Sequence, residues 1–145
     1  GLTHDERGYP ALTPDVHDKL VNRLVDKVRL NASEIELHDE FELDDAETVI
    51  ITFGCTSRSA RQAARSARAL GKKCGLLRLV SIWPFPEQRI RQLLEQGTVQ
   101  RFVVPEVNLG QLRREVERLT QLPILRLNHA GGAMPTPQQI LEVIP

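Results

Sequence analysis

The sequence lacks many features by which binding and catalytic proteins are recognised. Its 145 residues include two cysteines, Cys55 and Cys74, which form no CxxC pair. A zinc site, an iron–sulfur cluster or a disulfide framework is therefore not expected. No apolar run is long enough to span a membrane, and no secretory leader opens the chain. These absences predict a protein of the reducing cytoplasm that has no membrane partner.

Motifs of catalysis and metal binding are also missing. The chain has no GxGxxG fingerprint, no GxxxxGK[ST] phosphate loop and no GxSxG nucleophile elbow. Two triplets, His4-Asp5-Glu6 and His38-Asp39-Glu40, contain metal-ligand residue types, but adjacent side chains diverge and no HxxxH spacing supports either. We predict that both are solvated polar loops, and we expect no catalytic residue and no metal ligand in this chain.

The charges are unevenly distributed along the chain. The formal net charge is zero and aromatic residues make up 4% of the chain, so nucleic acid is not an expected partner. Residues 1–47 carry 13 acidic and 5 basic side chains, a net charge of −8, whereas residues 48–145 carry 6 and 14, a net charge of +8. This break predicts an acidic connector arm over 1–47 and a globular α/β domain over 48–145. Either the arm lies on the domain, or the two parts meet different partners.

Hydrophobic periodicity predicts alternating strands and helices. Pro14 and the apolar residues that follow it at helical spacing predict a helix over about 14–30. Residues 35–43 form either an edge strand or an extended connection. Further on, the pattern predicts strands over 48–53, 74–80, 99–104 and 124–127, and helices over 57–70, 86–95, 109–120 and 137–143. This alternation is typical of an open, doubly wound, mainly parallel α/β sheet.

The first strand-to-helix turn of the domain has two interpretations. Gly54, Thr56 and Ser57 suit an anion held at the helix N-terminus. Alternatively, Thr56 or Ser57 simply caps the helix. A thiol enzyme based on Cys55 would need a base, and no histidine lies nearby in the sequence.

The helix after this turn has two distinct faces. One face is small and apolar, and comprises Ala60, Ala63, Ala64, Ala67 and Leu70. The other carries Arg58, Arg61, Arg65 and Arg68. We predict that the apolar face packs on the sheet. The basic face is either solvated or meets an anion or an acidic partner, and the candidates for that contact are Arg58, Arg61 and Arg65.

Two later turns also follow apolar strands. Trp83-Pro84-Phe85-Pro86 forms a stiff turn whose two aromatic side chains either anchor another domain or subunit or cap the domain's own core. Residues 106–112 end the next strand, where α/β sheets place ligand or interface groups; Asn108 is equally suited to cap the following helix, and Gly110 permits close approach of a partner. The predicted interface residues are Trp83, Phe85, Glu106, Asn108, Gly110 and Gln111.

These segments together resemble a known family. The run 49–54, the strand 76–79 leading into Trp83-Pro84-Phe85-Pro86, and Glu106-Val107-Asn108-Leu109-Gly110-Gln111-Leu112 are similar to the C-terminal domain of the α subunit of 2-oxoacid:ferredoxin oxidoreductases. The opening run 1–8, with His17, resembles the connector of the 2-oxoglutarate type. Pro105 departs from the family pattern, and we expect it to disturb the last rung of its strand.

The resemblance implies a fold like the C-terminal domain of transketolase. The parent enzymes convert a 2-oxoacid and coenzyme A into acyl-CoA and carbon dioxide and reduce ferredoxin. Thiamine diphosphate, Mg²⁺ and an iron–sulfur cluster are then expected in other domains and in the β subunit, with none in this chain. The chain would be an inactive assembly domain that contacts the remainder of the α subunit and the β subunit. The alternative is a free-standing flavodoxin-like module that binds a nucleotide or anion at residues 54–57.

Overall fold

The computed structural model describes residues 3–145, which divide into two compact units between Glu36 and Leu37. Gly1 and Leu2, the first residues of the run that resembles the family's connector, lie outside the described residues. The division falls ahead of the charge break at residue 47. It does so because residues 38–41 form a strand that belongs to the sheet of the second unit.

The first unit contains helix α1 (Pro14–Arg29) and the short helix α2 (Ala32–Ile35). The predicted helix over 14–30 is therefore confirmed, with proline in its first turn and Lys27 and Arg29 in its last turn, where cations suit the helix dipole. Ahead of α1, the Asp5 carboxylate accepts hydrogen bonds from Arg7 and from the backbone N–H of Tyr9. The Arg7 hydrogen bond lowers the pKa of Asp5.

The second unit is a five-stranded sheet with helices on both faces. Its strands, in the spatial order β1-β3-β2-β4-β5, are β1 (His38–Phe41), β2 (Thr48–Phe53), β3 (Cys74–Leu79), β4 (Arg101–Glu106) and β5 (Ile124–Asn128). Its helices are α3 (Thr56–Ala69), α4 (Glu87–Glu95), α5 (Gln111–Glu117) and α6 (Pro137–Val143). Strands β2 to β5 run parallel and β1 runs antiparallel at one edge, which confirms the mainly parallel α/β fold.

The two faces of the sheet have separate hydrophobic cores. One core joins the strands to α4 and α5 and includes Ile90, Leu93 and Val116, all of which are fully buried. The other joins the strands to α3 and α6. This arrangement follows from right-handed crossovers, because the chain moves one way from β2 to β3 and then back past β2 to reach β4. The carboxyl ends of β2 and β4 therefore flank the point where the direction of winding reverses.

Strand β1 resolves one question that the sequence left open, since residues 38–41 form an edge strand. The prediction that His38-Asp39-Glu40 is a solvated loop is wrong. Residues 37–47, the acidic segment, contain six acidic side chains and no lysine or arginine, and four of those acids pair with cations of the second unit. The pairs are Asp39–Arg78, Glu40–Arg89, Asp45–Arg68 and Glu47–Lys73. Much of the acidic excess therefore belongs inside the second unit.

Helix α3 packs through its small side chains. Ala60, Ala63, Ala64 and Ala67 are fully buried, as their spacing predicted. Leu70 departs from the prediction because it is 66% exposed. The helix ends at Ala69, so Leu70 no longer follows the helical face that the alanines define.

Candidate functional site

A groove lies at the carboxyl ends of the parallel strands, where the two turns singled out in the sequence come together. Its volume is about 270 Å³. We call it the strand-end groove; its apolar lining is Phe53, Ile82, Trp83, Phe85 and Leu112, and its polar lining is Asn108, Gln111 and Glu115. The carboxyl ends of neighbouring parallel strands share one sheet edge, so the turns after β3 and β4 converge across the end of β2.

The two aromatic residues of the β3–α4 turn have different environments. Phe85 is 5% exposed and belongs to the core of the α4/α5 face, and the Arg118 guanidinium lies 5.8 Å from its ring centroid. Trp83 is 68% exposed. The core-capping interpretation therefore applies to Phe85. Trp83 stands open at the groove, and its role as an anchor for another domain or subunit stays a prediction.

Glu106 faces inward at the end of β4. It is fully buried, and its carboxylate accepts hydrogen bonds from the backbone N–H of Leu112 at 2.9 Å and of Arg113 at 3.2 Å. The Asn128 side-chain amide, from β5, donates a third bond at 3.2 Å. A carboxylate at a helix N-terminus satisfies free N–H groups and suits the helix dipole. Glu106 therefore fixes the start of α5 to the sheet, and its oxygens are not presented at the groove.

Asn108 and Gly110 shape the turn beside Glu106. The Asn108 Oδ1 atom accepts hydrogen bonds from the backbone N–H groups of Gly110 at 2.8 Å and Gln111 at 2.9 Å. The predicted N-cap role of Asn108 is wrong, because Gly110 is the N-cap residue of α5; Asn108 instead braces the turn that leads into the helix. Gly110 has a φ of +99°, in the region that favours glycine. Gln111 begins α5 and lines the groove with an exposed side chain.

Pro105 is accommodated within β4. The pairing of β4 with β5 runs through Pro105 opposite Leu127 to Glu106 opposite Asn128, so the last rung on that side is intact. On the other side, the register between β4 and β2 is confined to residues 101–103 of β4. The missing N–H of proline therefore falls beyond the part of β4 that pairs with β2.

The β2–α3 turn is built differently from the β4–α5 turn. Neither predicted cap forms, because α3 has no side-chain cap and both hydroxyl residues lie inside the helix. Thr56 donates to the carbonyl of Phe53 at 2.8 Å and contacts the Thr52 hydroxyl. Ser57 is 5% exposed, and its Oγ has no hydrogen-bond partner among the described residues. Gly54 is exposed, with a φ of +59°.

The arginines of α3 are largely engaged within the domain. Arg61 and Arg65 lie 5.8 Å and 5.9 Å from the centroid of the Phe41 ring. Arg68 donates to the carbonyls of Cys74 and Glu42 and to the Asp45 carboxylate. Arg58 is exposed. Most of the arginines on the basic face of α3 therefore contact β1 and the acidic segment.

The described residues contain no group of three or more His, Cys, Asp or Glu side chains that could hold a metal ion. Cys74 is buried, and burial raises the pKa of its thiol to about 11, whereas Cys55 is exposed. The donor set of residues 3–145 therefore does not fit a metal centre or an iron–sulfur cluster. Among these residues, no helix combines the length and apolar character needed to cross a membrane.

Sequence reasoning missed four residues of the strand-end groove: Phe53, Ile82, Leu112 and Glu115. Phe53 carried a usable signal, because it is the last residue of the strand that lies between β3 and β4 in the sheet. Leu112 and Glu115 lie three residues apart on α5, so they share the helix face that borders the groove.

Comparison with known proteins gives concordant matches. Residues 46–140 match the family model for pyruvate:ferredoxin oxidoreductase core domain II. The chain is 41% identical, over 99% of its length, to the 2-oxoglutarate synthase subunit KorA of Methanocaldococcus jannaschii, and it covers 38% of that relative. The chain thus spans well under half the length of this relative.

Two solved structures are similar in fold. The 2-oxoglutarate:ferredoxin oxidoreductase from Magnetococcus marinus, solved with 2-oxoglutarate, coenzyme A and succinyl-CoA bound, matches with a TM-score of 0.82 and 26% identity, over 99% of this chain and 26% of that one. A split-gene transketolase, described as an inactive β4 tetramer, matches with a TM-score of 0.58 and 16% identity, over 73% of this chain and 40% of that one. The second match bears on the fold alone, and it agrees with a transketolase-like sheet.

The order of elements, the sheet topology and the matched segment agree with the resemblance first seen in the strand-end turns. The chain belongs to the family of pyruvate:ferredoxin oxidoreductase core domain II.

Proposed function

We propose that the chain is a structural, assembly-forming part of the α subunit of a thiamine-diphosphate-dependent 2-oxoacid:ferredoxin oxidoreductase of the 2-oxoglutarate type. The observation that carries the proposal is the 41% identity to a 2-oxoglutarate synthase subunit over 99% of the chain. In the whole enzyme, a 2-oxoacid and coenzyme A would give acyl-CoA and carbon dioxide, with electrons passed to ferredoxin.

The side chains of the strand-end groove support a non-catalytic role. Its polar lining consists of two amides, Asn108 and Gln111, and the Glu115 carboxylate, which accepts a hydrogen bond from Arg118 at 2.7 Å. A nucleophile or general base needs a partner that activates it, and this lining provides no such pair. Thiamine diphosphate supplies the carbon chemistry in enzymes that bind it, and the donor set of residues 3–145 does not fit a metal-bound cofactor.

The β2–α3 turn bears on the flavodoxin-like alternative. An anion site would use hydroxyls and free backbone N–H groups at the helix start. The Thr56 hydroxyl is turned toward the Phe53 carbonyl, and the Ser57 side chain is buried. No observation therefore favours an anion at this turn over the assembly role.

The proposal is tested by comparing the isolated 145-residue chain with the complete complex purified from cells that express the intact gene and its neighbours. We expect 2-oxoglutarate- and coenzyme A-dependent reduction of ferredoxin in the complex, and neither activity nor bound thiamine diphosphate in the isolated chain. Turnover by the isolated chain, or a flavin or nucleotide that remains bound to it through purification, would contradict the proposal. A complex without 2-oxoacid-dependent activity would contradict it as well.

A further inference from the structure

Exposed apolar residues line the strand-end groove or lie close to its lining residues in the sequence. Four large apolar side chains are exposed in the segments that follow β3 and β4: Val80 (51%), Ile82 (49%), Trp83 (68%) and Leu109 (79%). Single exposed apolar residues are common, but a cluster of them at one edge marks an interaction site. Tryptophan is also the residue type most enriched among the anchors of protein interfaces.

The size and charge of the groove limit what it accepts. Pockets for drug-sized ligands and cofactors usually span about 300–1,000 Å³, whereas this groove holds about 270 Å³ and is open on one side. Among the residues that line it, Glu115 is the charged one, and its carboxylate shares the Arg118 guanidinium with Glu87, so the lining carries no positive charge to attract an anion. An uncharged apolar side chain fits this lining better than a phosphate or a charged cofactor.

The groove also offers hydrogen bonds at its rim. Within residues 3–145, the Gln111 side-chain amide has no hydrogen-bond partner, and the Asn108 side chain uses its oxygen for the turn. Two amides beside an apolar groove suit a peptide segment, because its backbone N–H and C=O groups need partners when they are buried. The walls are held in place before binding, since Glu106 fixes α5 and Phe85 is part of the core.

We propose that the strand-end groove receives an apolar side chain from a peptide segment of the same α subunit, outside these 145 residues. The inference rests on the proposed function. The chain covers only 38% of the related subunit, so that protein carries most of its polypeptide outside the matched part. A segment of the same polypeptide acts at a high effective concentration, which lets so small a contact be occupied, and interfaces between domains of one chain are commonly modest in area.

The first test places the photo-crosslinking residue benzoylphenylalanine at Trp83 in the intact gene and maps the products in the purified complex by mass spectrometry. The control carries the same residue at Leu70, which is 66% exposed and therefore comparable with Trp83. We expect crosslinks from position 83 to the part of the α polypeptide outside these 145 residues, and at least about tenfold fewer to that part from position 70. Crosslinks to the β subunit, to a second copy of this chain, to a small molecule or to nothing would overturn the inference.

The second test uses Trp83→Ala and Gln111→Ala in the complete subunit, with Leu70→Ala as the control. We expect the rate at which a protease separates this domain from the rest of the subunit to rise about tenfold in Trp83→Ala, by a smaller factor in Gln111→Ala, and not in the control. Unchanged circular dichroism shows that the fold is intact. An unchanged cleavage rate in Trp83→Ala would overturn the inference even if the complex is fully active. The cleavage rate thus tests the groove, whereas the activity of the complex tests the proposed function.

Discussion

Two edges of the second unit differ in whether their side chains find partners within the domain. At the β1 edge, charges are paired within the unit: Arg89 reaches Glu40 at 2.9 Å, and Arg68 reaches Asp45 at 2.6 Å. At the carboxyl edge, the strand-end groove leaves Trp83 exposed. The first edge is closed by side chains of the domain itself, whereas the second is rigid but uncovered. An exposed apolar edge of this kind is typical of an interaction site.

The largest effect is expected where the acidic segment packs on β3. A Cβ atom at Gly75 would lie 2.6 Å from the Glu42 carbonyl oxygen and 2.8 Å from Leu43 Cδ2. Gly75→Ala therefore displaces this segment, and we expect the free energy of unfolding to fall by about 3 kcal/mol. Urea denaturation measures the change. The control is Gly97→Ala, where nothing lies within 4 Å and φ is +74°, so only backbone strain of about 1 kcal/mol applies. A larger loss in the control would refute close packing at Gly75.

The next largest effect concerns the rigidity of the open edge. Glu106→Gln keeps the side chain's size but removes the charge and turns an NH₂ group toward N–H donors. We expect a loss of about 2 kcal/mol in the free energy of unfolding, because a buried charge-assisted cap is broken. Faster hydrogen exchange at Leu112 and Arg113 would place the damage at α5. The exposed Glu117→Gln serves as control and should change stability by less than about 0.5 kcal/mol. Equal losses in the two variants would argue against the buried cap.

A smaller effect is expected from the arginine that clamps the closed edge. Arg68 donates to two backbone carbonyls, of Cys74 and Glu42, as well as to Asp45. Arg68→Gln should reduce the free energy of unfolding by about 1–2 kcal/mol. Arg65→Gln, on the same helix, loses only its contact with the Phe41 ring and should cost about 0.5 kcal/mol. Thermal denaturation at matched ionic strength compares the stability of the two variants. If Arg68→Gln loses no more stability than Arg65→Gln, the backbone contacts of Arg68 do not stabilise this edge.

The pH dependence of the closed edge should be weaker still. The hydrogen bond from Arg89 holds the pKa of Glu40 below its usual range. Because the folded-state pKa is lowered, the Glu40 pair contributes stability above the unfolded pKa of about 4.3, and that contribution is lost as the pH falls through the folded value. Carbon-detected NMR titration should show the pKa of Glu40 rising in Arg89→Gln. A titration curve unchanged by that substitution would exclude Arg89 as the main cause.

The smallest effect on stability is expected at the open edge itself. Trp83 is 68% exposed, so Trp83→Ala should change the free energy of unfolding of the isolated chain by less than about 0.5 kcal/mol. A small change would show that Trp83, unlike the ion-paired residues at the β1 edge, contributes little to the stability of the domain. A loss of several kcal/mol in guanidinium denaturation would instead assign Trp83 to the domain's own core.

The sequence predicted elements better than side-chain directions. The strands and helices from residue 48 onward lie close to their predicted bounds, because the alternation of apolar runs and amphipathic segments is strong there. Residues 35–43 stayed ambiguous, since an edge strand that is held by ion pairs carries little hydrophobic pattern. The inward direction of Glu106 also escaped prediction. From the sequence alone, a polar residue at a strand end is expected at the surface. Only the structure shows that the backbone N–H groups at the start of α5 lie against the Glu106 carboxylate.

The candidate site was predicted in part. The two turns that line the strand-end groove were recognisable because both follow buried strands of one parallel sheet. The sequence did not predict that Phe85 is buried while Trp83 is exposed. Two aromatic residues so close together in a turn show no periodicity that would separate an inner face from an outer one. The arginines of α3 were correctly grouped, yet their partners Phe41 and Asp45 come from a segment that their own helix pattern does not reveal.

The position of Trp83 has an experimental consequence. It is the only tryptophan in these 145 residues, and its indole lies at the mouth of the strand-end groove. The tryptophan emission of the isolated chain, excited at a wavelength that Tyr9 does not absorb, therefore reports on a single place in the molecule. Indole emission moves to shorter wavelengths when water is excluded from the ring. Binding of a segment over the groove should therefore shift the emission maximum of Trp83 to shorter wavelengths, without any added label.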